Sequence, residues 1–266
     1  MRYRKIGSIL TATLLLIQSS TPLLTYADDF VPNVAHKTTH QSKPQCNIPG
    51  NSNSDDIDDT TTTGSSLDDP VVRKRAEELA KILNEDYGLS GETIAGILGS
   101  PLNHENQTLD PMLIEGGTHF ATPLSTTGEG SPVGPGYTVP GSSIFQFTPY
   151  TKYTTWKDFK KYGGHTVEGN TRYMIEVGLK DIGTYISIAN WTKYGVSNSQ
   201  IAGITSPEDF YETKDIKAAS IIFMTCYERG SYSLGQSYFD ATAQDSVLAY
   251  KKLGLSKYKA DPQKIK

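Results

Sequence analysis

The chain has 266 residues, of which 36% are hydrophobic, so it is long enough to bury one substantial core. Its formal net charge of −4 is concentrated in residues 28–69, which hold eight Asp against two Lys. The rest of the chain is nearly neutral. This balance argues against a nucleic-acid partner, because phosphate binding depends on concentrated Lys and Arg.

Residues 1–27 have the pattern of a secretory signal peptide. Three basic residues precede an apolar run over 6–17, and small residues follow up to Ala27. The run is shorter than the roughly 20 apolar residues that a membrane-spanning helix needs, so we expect cleavage rather than anchorage. The mature protein is therefore predicted to be secreted, extracellular or in the cell wall, with no membrane insertion.

Residues 28–69 are predicted to be a disordered acidic spacer. The segment is rich in Ser, Thr and Asp and has few large apolar residues. Such a composition buries too little apolar surface to offset the entropy of ordering. Calcium binding by its Asp cluster is the alternative, but the spacing is not that of a known calcium loop.

Order is predicted to begin with a helix whose N-cap is Asp69, because a proline follows it and apolar residues then recur at helical spacing. Ser90 is predicted to cap a second helix that stops near Pro101. On this second helix, Gly96 and Gly99 leave room for close packing against a neighbouring element.

The middle of the chain is irregular in pattern. Residues 109–143 are rich in glycine and proline, and we expect at most a short strand or hairpin there. A loop of this length inside a compact domain is usually functional, so it is predicted to form a wall or lid of a substrate groove. Seven aromatic residues follow between positions 145 and 162.

The second half returns to helical patterns. Helices are predicted over 171–178, from Ser206, over 218–230 and from Asp240 as N-cap to Gly254. Residues 255–266 are a basic C-terminal tail. The sequence thus predicts one mostly α (α+β) domain over residues 70–254, with an irregular Gly-rich lobe.

The chain has two cysteines, Cys46 in the spacer and Cys226 in an apolar helical pattern. In an oxidising compartment they are a candidate disulfide. The alternative is that Cys226 is a small buried hydrophobe and Cys46 an exposed thiol. Both interpretations stay open at this point.

Glu105 is the candidate catalytic carboxylate. It lies just beyond the second predicted helix, beside the Gly-rich and aromatic segments. A carboxyl group at such a helix end can be partly shielded, which raises its pKa enough to donate a proton at neutral pH. On position alone, however, a Glu after a helix is usually a solvated surface residue.

Three segments resemble the phage tail lysozyme family of the lysozyme-like superfamily. In residues 92–111, a helix ending in Gly-Ile-Leu-Gly leads to His-Glu and then Asp-Pro. Residues 143–153 begin Ser-Ile-Phe-Gln-Phe-Thr-Pro, which is similar to that family's Gly-Leu-Phe-Gln-Trp-Thr-Pro segment. Residues 218–229 run from Ala-Ala through Phe to Tyr-Glu-Arg, like the family's helix. The resemblance covers roughly residues 74–253.

The resemblance implies a lysozyme-like fold and a secreted peptidoglycan hydrolase. Glu105 corresponds to the general acid that protonates the glycosidic oxygen between N-acetylmuramic acid and N-acetylglucosamine. It also implies glycan-binding roles for six residues: Gln146, Phe147, Thr148, Tyr150, Tyr153 and Tyr227. For Tyr227, a packing role at the helix end is an equal alternative.

The sequence departs from the family at three positions. Ser143 stands where the family usually has Gly, Phe147 where Trp is common, and Asn106 where Ser follows the Glu. The Gly-rich segment is also longer than typical. These departures bear on subsite specificity more than on the fold.

The carboxylate that would activate water is left open. An inverting hydrolase needs one roughly 6.5–9.5 Å from the acid, and Asp110, Glu115 and Glu129 are the candidates. A lytic transglycosylase needs none, because the muramic acid 6-hydroxyl attacks internally. Family likeness favours hydrolysis.

Other chemistries find less support. The five histidines form no zinc motif, although His104 and His119 are a weak candidate pair, and no metal or other cofactor is expected. Cys226 lacks a placed His, and no serine-nucleophile elbow is present. The non-enzymatic alternative is a lysozyme-like glycan-binding or bacteriocin-type protein. Whether the protein would be an autolysin, a bacteriolysin or part of a secretion machine stays open, as do its oligomeric state and protein partners.

Overall fold

A computed structural model of the chain describes residues 66–114, 117–125, 141–147, 159–179, 182, 186, 195–228 and 232–265. Of these residues 62% are helical, which confirms the prediction of a mostly α protein. All of them belong to one compact unit. No helix in the described part is both long and apolar enough to cross a membrane. The predicted signal peptide and nearly all of the spacer lie outside the described residues, and the division into domains stays a prediction.

Helix α1, Pro70–Glu85, begins where the sequence predicts. The Asp69 carboxylate accepts from the backbone N–H groups of Val71, at 2.7 Å, and Val72, at 3.4 Å. A short 3₁₀ turn, Ser66–Asp68, precedes the cap. The inner face of α1 is apolar and buried, so tertiary packing adds to this local start signal.

Helix α2, Gly91–Ser100, lies at the centre of the core with nearly all of its residues buried. The Ser90 hydroxyl caps it by accepting from the Thr93 N–H at 3.1 Å, as predicted. A Cβ on Gly96 would lie 2.6 Å from the Cβ of Ala219, and a Cβ on Gly99 would collide with the Ser246 hydroxyl. The predicted close packing at both glycines is confirmed.

Two further helices pack against α2: α5, Ile216–Ile222, which carries Ala219, and α6, Tyr232–Lys252, which carries Ser246. Residues 218–222 of α5 are buried, and all of them except Ser220 are apolar. The described part of the chain also contains the α-helices α3, Val167–Tyr173, and α4, Pro207–Glu212. Helix α4 starts at the predicted Ser206, whose hydroxyl accepts from the Asp209 N–H in a capping box.

Three helices continue into a wider π turn. These turns are π1, Pro101–Glu105, after α2; π2, Met174–Gly178, after α3; and π3, Phe223–Tyr227, after α5. In π1 the Asn106 N–H bonds the Pro101 carbonyl five residues back, at 3.0 Å. Proline has no N–H to continue the α pattern, which explains the change of winding at this point. The α-helix therefore ends at Ser100, as the predicted stop near Pro101 requires, and the chain continues for one π turn.

The described part of the Gly-rich region contains a short hairpin, as the sequence allows. Strands β1, Leu113–Ile114, and β2, Thr118–His119, pair antiparallel with Leu113 opposite His119. Ile114 also forms an isolated bridge with Ser142. This bridge joins the hairpin to the segment that carries Gln146.

The predicted starts of two helices are wrong. Helix α3 begins at Val167, with Thr166 as its cap, and not at Thr171. The last helix begins at Tyr232 and bends at Gly235, so Asp240 lies inside it. The Asp240 carboxylate lies 3.8 Å from Lys217 on α5 and does not cap a helix.

The C-terminal residues 255–265 are part of the folded unit. Leu255 is buried at the start of a 3₁₀ turn, Leu255–Lys257. The Tyr258 carbonyl accepts from the Gly91 N–H at 3.1 Å, and the Asp261 N–H donates to the Gly88 carbonyl at 2.8 Å. The segment thus closes over the junction of α1 and α2.

Candidate functional site

Glu105 is the last residue of π1, and three hydrogen bonds hold the backbone around it. Before it, the Ser100 hydroxyl donates to the Glu228 carboxylate. Within the turn, the Asn103 amide donates to Asp245 of α6. After it, the Asn106 amide donates to the Ser143 carbonyl at 3.1 Å. These links fix π1 against π3, α6 and the Gln146 segment.

Asn106 is the central polar anchor of this region and is only 2% exposed. Its amide nitrogen donates to the carbonyls of Ser143 and, at 2.7 Å, Asp110. Its amide oxygen accepts from the Thr108 hydroxyl at 2.7 Å and the Asp110 N–H at 3.1 Å. All four hydrogen-bonding positions of the amide are thus used, as a buried polar side chain requires.

The Ser143–Gln146 turn is strained and firmly held. Ser143 has φ 70° and Gln146 has φ 44°, both in the left-handed region that non-glycine residues seldom adopt. The Ser143 N–H donates to the Leu113 carbonyl, and the Ile144 N–H donates at 2.8 Å to the amide oxygen of the fully buried Asn170. The Gln146 amide nitrogen donates at 2.8 Å to the Ser143 carbonyl of its own turn. Gln146 therefore occupies a defined position.

Tyr227 ends π3 and is half-buried. Its ring stacks on Phe223, with centroids 4.6 Å apart. A Cβ on Gly178 would lie 2.5 Å from this ring, so only glycine at the end of π2 admits Tyr227 so closely. The ends of π2 and π3 meet here, and Ser100 and Glu228 join π3 to the start of π1. Single π turns are frequent at functional sites.

An aromatic cluster lies under the turn. Phe145 packs edge-on against Phe223 at 6.4 Å, and Phe147 packs edge-on against Tyr173 at 4.8 Å. Phe145 is buried, whereas Phe147 is half-buried. Phe147 therefore supports the turn from below while part of its surface stays accessible. Its predicted role as a packing face for a sugar ring stays a prediction.

Asp110 is the one proposed second carboxylate among the described residues. It lies 3.7 Å from Arg75 and 3.3 Å from the His119 imidazole, and it accepts from the Met112 N–H at 2.9 Å. Its oxygens are thus bound by one cation, one imidazole and one backbone donor. Such a carboxylate is placed to fix the loop after Glu105.

Several predicted site residues lie outside the described residues. They are Glu115, Glu129, Thr148, Tyr150, Tyr153 and Cys46. Their predicted roles stay predictions. In the described part of the chain, no three His, Cys, Asp or Glu side chains gather closely enough to hold a metal ion.

Cys226 is buried in π3, and this burial raises the pKa of its thiol to about 11. A thiol with so high a pKa is protonated at neutral pH and is a poor nucleophile. In the structure it behaves as a small buried hydrophobe. The pairing with Cys46 stays a prediction.

Sequence reasoning missed the polar residues that build the site. Asn106 was noted only as a departure from the family, and Asn170, His165 and Glu228 were not singled out for this role. Their contacts join residues 22 to 128 positions apart. No local pattern signals such contacts. The one available signal was Thr166, which caps the helix that carries Asn170 and which the sequence prediction missed.

Comparison with known proteins adds no assignment: no protein-family model matches the chain, and no curated protein matches it. The function must therefore be inferred from the residues themselves and from the contacts between segments that are far apart in the sequence.

Proposed function

We propose that the chain is a secreted peptidoglycan hydrolase of the phage tail lysozyme type, with a lysozyme-like fold and Glu105 as its general acid. One observation carries the proposal: the three segments that resemble this family are bonded to one another around Glu105. Asn106 joins the first segment to Ser143 in the second, and Ser100 joins it to Glu228 in the third. A chance resemblance of separate segments would not require them to meet.

The conformation of Ser143 also supports the proposal. The family usually has Gly at this position, and Ser143 adopts φ 70°, where glycine is favoured. The turn therefore has the backbone shape that the family's glycine implies. A mostly helical unit with one short hairpin in its Gly-rich lobe is likewise consistent with a lysozyme-like fold.

The proposed reaction is general acid catalysis on the glycan backbone. Glu105 donates its proton to the glycosidic oxygen as the bond from that oxygen to the anomeric carbon breaks. Water then adds to the anomeric carbon and loses a proton, which leaves a new reducing end. Gln146 and Tyr227 lie on the two segments joined to π1. In this proposal they bind sugar amides and hydroxyl groups of the glycan.

A lytic transglycosylase is the second candidate, and the surroundings of Asp110 favour it. Asp110 is engaged by Arg75, His119 and a backbone N–H, so it is poorly disposed to activate a water molecule. A transglycosylase has no need of a second carboxylate. In that case the 6-hydroxyl of muramic acid attacks the anomeric carbon, and the product carries a 1,6-anhydro ring.

Digestion of purified peptidoglycan tests the proposal. The purified protein and its Glu105→Gln variant are incubated with Gram-positive peptidoglycan, and the soluble products are identified by mass spectrometry. We expect reducing-end muropeptides from the parent and a loss of at least 100-fold in their release from Glu105→Gln. Anhydro-muramic products would assign the transglycosylase reaction instead.

Glu77→Gln is the matched control, because Glu77 is an exposed carboxylate on α1. It should release muropeptides at the parent rate. If neither the parent nor this control releases any product, the enzymatic proposal is wrong. Co-sedimentation with the insoluble polymer would then identify a glycan-binding protein.

A further inference from the structure

The strain at Ser143 needs a compensating interaction. A residue with a side chain is less stable than glycine in the left-handed region, because its Cβ crowds the backbone there. Such strain persists only where surrounding contacts hold it, and it is concentrated at functional sites. Ser143 is fully buried, so its hydroxyl must also find partners inside the protein.

The Ser143 hydroxyl bridges two separate segments. It lies 2.9 Å from the Pro111 carbonyl, just before β1, and 3.2 Å from Nδ1 of His165. His165 is itself 1% exposed and stacks on Phe120, with ring centroids 3.5 Å apart. Nε2 of its ring lies 3.0 Å from the Ser125 carbonyl. The side chains of Ser143 and His165 thus connect the turn to the Gly-rich lobe on both sides of the β1–β2 hairpin, at Pro111 before it and at Ser125 after it.

The protonation state of His165 determines which atoms donate and which accept in these hydrogen bonds. Burial lowers the pKa of His165 to about 4, so the ring is neutral at neutral pH and carries one N–H. The Ser125 carbonyl can only accept, which places that hydrogen on Nε2. Nδ1 is then an acceptor, and the Ser143 hydroxyl donates to it or to the Pro111 carbonyl. Replacing Ser143 by glycine would remove this bridge and the backbone strain together.

We propose that Ser143 and His165 are positioning residues for the glycan site, because they fix the Gln146 turn relative to the Gly-rich lobe and to Glu105. This inference depends on the proposed function. On the lobe, Ser143 and His165 contact the carbonyls of Pro111 and Ser125. Towards Glu105, the Ser143 carbonyl accepts from the amide of Asn106. A substrate strand that contacts the partly exposed Gln146 and the lobe would meet both at a fixed separation.

Ser143→Gly separates positioning from stability. Glycine adopts φ 70° without strain, and this gain offsets the loss of the hydroxyl's hydrogen bond, so the thermal midpoint of the variant should stay close to that of the parent. The loss of the hydroxyl should lower kcat/KM on soluble uncrosslinked glycan strands by about tenfold, mainly through KM. A purely structural role would leave the activity of this folded variant at the parent value.

His165→Asn and His165→Gln form a matched pair of conservative variants. The Asn amide reaches the position of Nδ1 and can still bond Ser143, whereas the longer Gln amide reaches the position of Nε2 and can bond only Ser125. We expect Asn to retain most of the parent kcat/KM and Gln to lose about as much as Ser143→Gly. Hydrogen exchange at the Ile144 and Phe147 amides should rise in the Gln variant and not in the Asn variant.

The outcomes distinguish this inference from the proposed function. If the parent protein cleaves glycan strands and Ser143→Gly is equally active, the positioning role is wrong and the proposed function stands. Equal loss in the Asn and Gln variants would also overturn it, because simple packing at position 165 would explain that result. If the parent releases no product, the proposed function fails and the positioning role fails with it.

Discussion

Two regions of the molecule meet at Glu105, and different forces hold them. The helical core of α2, α5 and α6 packs through small residues, with Gly96 and Gly99 bringing the helix backbones close together. The region after π1 has little regular structure and is held by buried amides, a hydroxyl and an imidazole. The comparison shows that a close-packed core can end in a site whose shape depends on a few specific hydrogen bonds.

Gly99→Ala should have the largest effect, because it disrupts the core side of the comparison. The new Cβ would collide with the Ser246 hydroxyl and lie 2.6 Å from the Thr242 carbonyl. We expect a loss of about 3 kcal/mol in the free energy of unfolding, measured by urea denaturation. Helix propensity alone would make the variant more stable by about 1 kcal/mol. The sign of the change in the free energy of unfolding therefore distinguishes close packing from helix propensity. Gly235→Ala is the control, because the nearest atom to its Cβ is 3.8 Å away.

Lowering the pH should destabilise the polar region after π1, through protonation of His165. Burial lowers the pKa of His165 from 6.5 to about 4, so the unfolded chain takes up a proton there before the folded chain does. The contribution of His165 to stability is complete above pH 6.5 and falls as the pH drops to 4, by about 3 kcal/mol. Urea denaturation at pH 7 and pH 4 should show a smaller loss for His165→Asn than for the parent.

Asn198→Ala provides the comparison for this experiment, because it changes an exposed residue and alters no titratable group. Its loss of stability between pH 7 and pH 4 should equal that of the parent. Equal losses in all three proteins would show that His165 does not couple protonation to folding.

Asn106→Ala should cost about 2 kcal/mol, because it leaves the buried partners of one amide unsatisfied. Thermal unfolding would show this as a lower midpoint. Asn198→Ala, at an exposed position in a 3₁₀ turn, is the matched change and should stay within about 0.5 kcal/mol of the parent. Similar midpoints for the two variants would argue against Asn106 as the central anchor.

Of the substitutions compared for stability, Tyr87→Phe should cause the smallest loss. The Tyr87 hydroxyl donates to Glu176 at 2.6 Å on the protein surface, and the Tyr162 hydroxyl donates to the same carboxylate at 2.5 Å. Because Glu176 keeps its second partner, we expect a loss of about 0.5 kcal/mol in thermal unfolding. A loss near that of Asn106→Ala would mean that the surface network contributes as much as the buried one.

The helical core was easier to predict from the sequence than the polar region after π1, because its helix starts and close packing leave local signals. Local signals gave the helix starts at Asp69, Ser90 and Ser206, and small residues gave the packing at Gly96 and Gly99. Asp240 misled the prediction because an Asp before an apolar repeat looks like a cap, whereas here it faces Lys217 within a longer helix. A kink at a glycine has no distinctive local pattern.

The site could be predicted only in part. The resemblance pointed to Glu105, Gln146 and Tyr227, and the structure brings their three segments into contact. The amides and the imidazole that hold these segments act between positions far apart in the chain, as Asn170 does for Ile144. Such partners depend on the tertiary arrangement, and a single sequence carries no periodic signal for them.

The crystal structure of the Glu105→Gln variant with a bound tetrasaccharide of alternating N-acetylglucosamine and N-acetylmuramic acid would test the central claim most directly. We expect the saccharide to lie along the Ser143–Gln146 turn, with a glycosidic oxygen about 3 Å from the side chain at position 105. A saccharide bound away from this turn, or one whose glycosidic oxygens all lie far from position 105, would contradict the account.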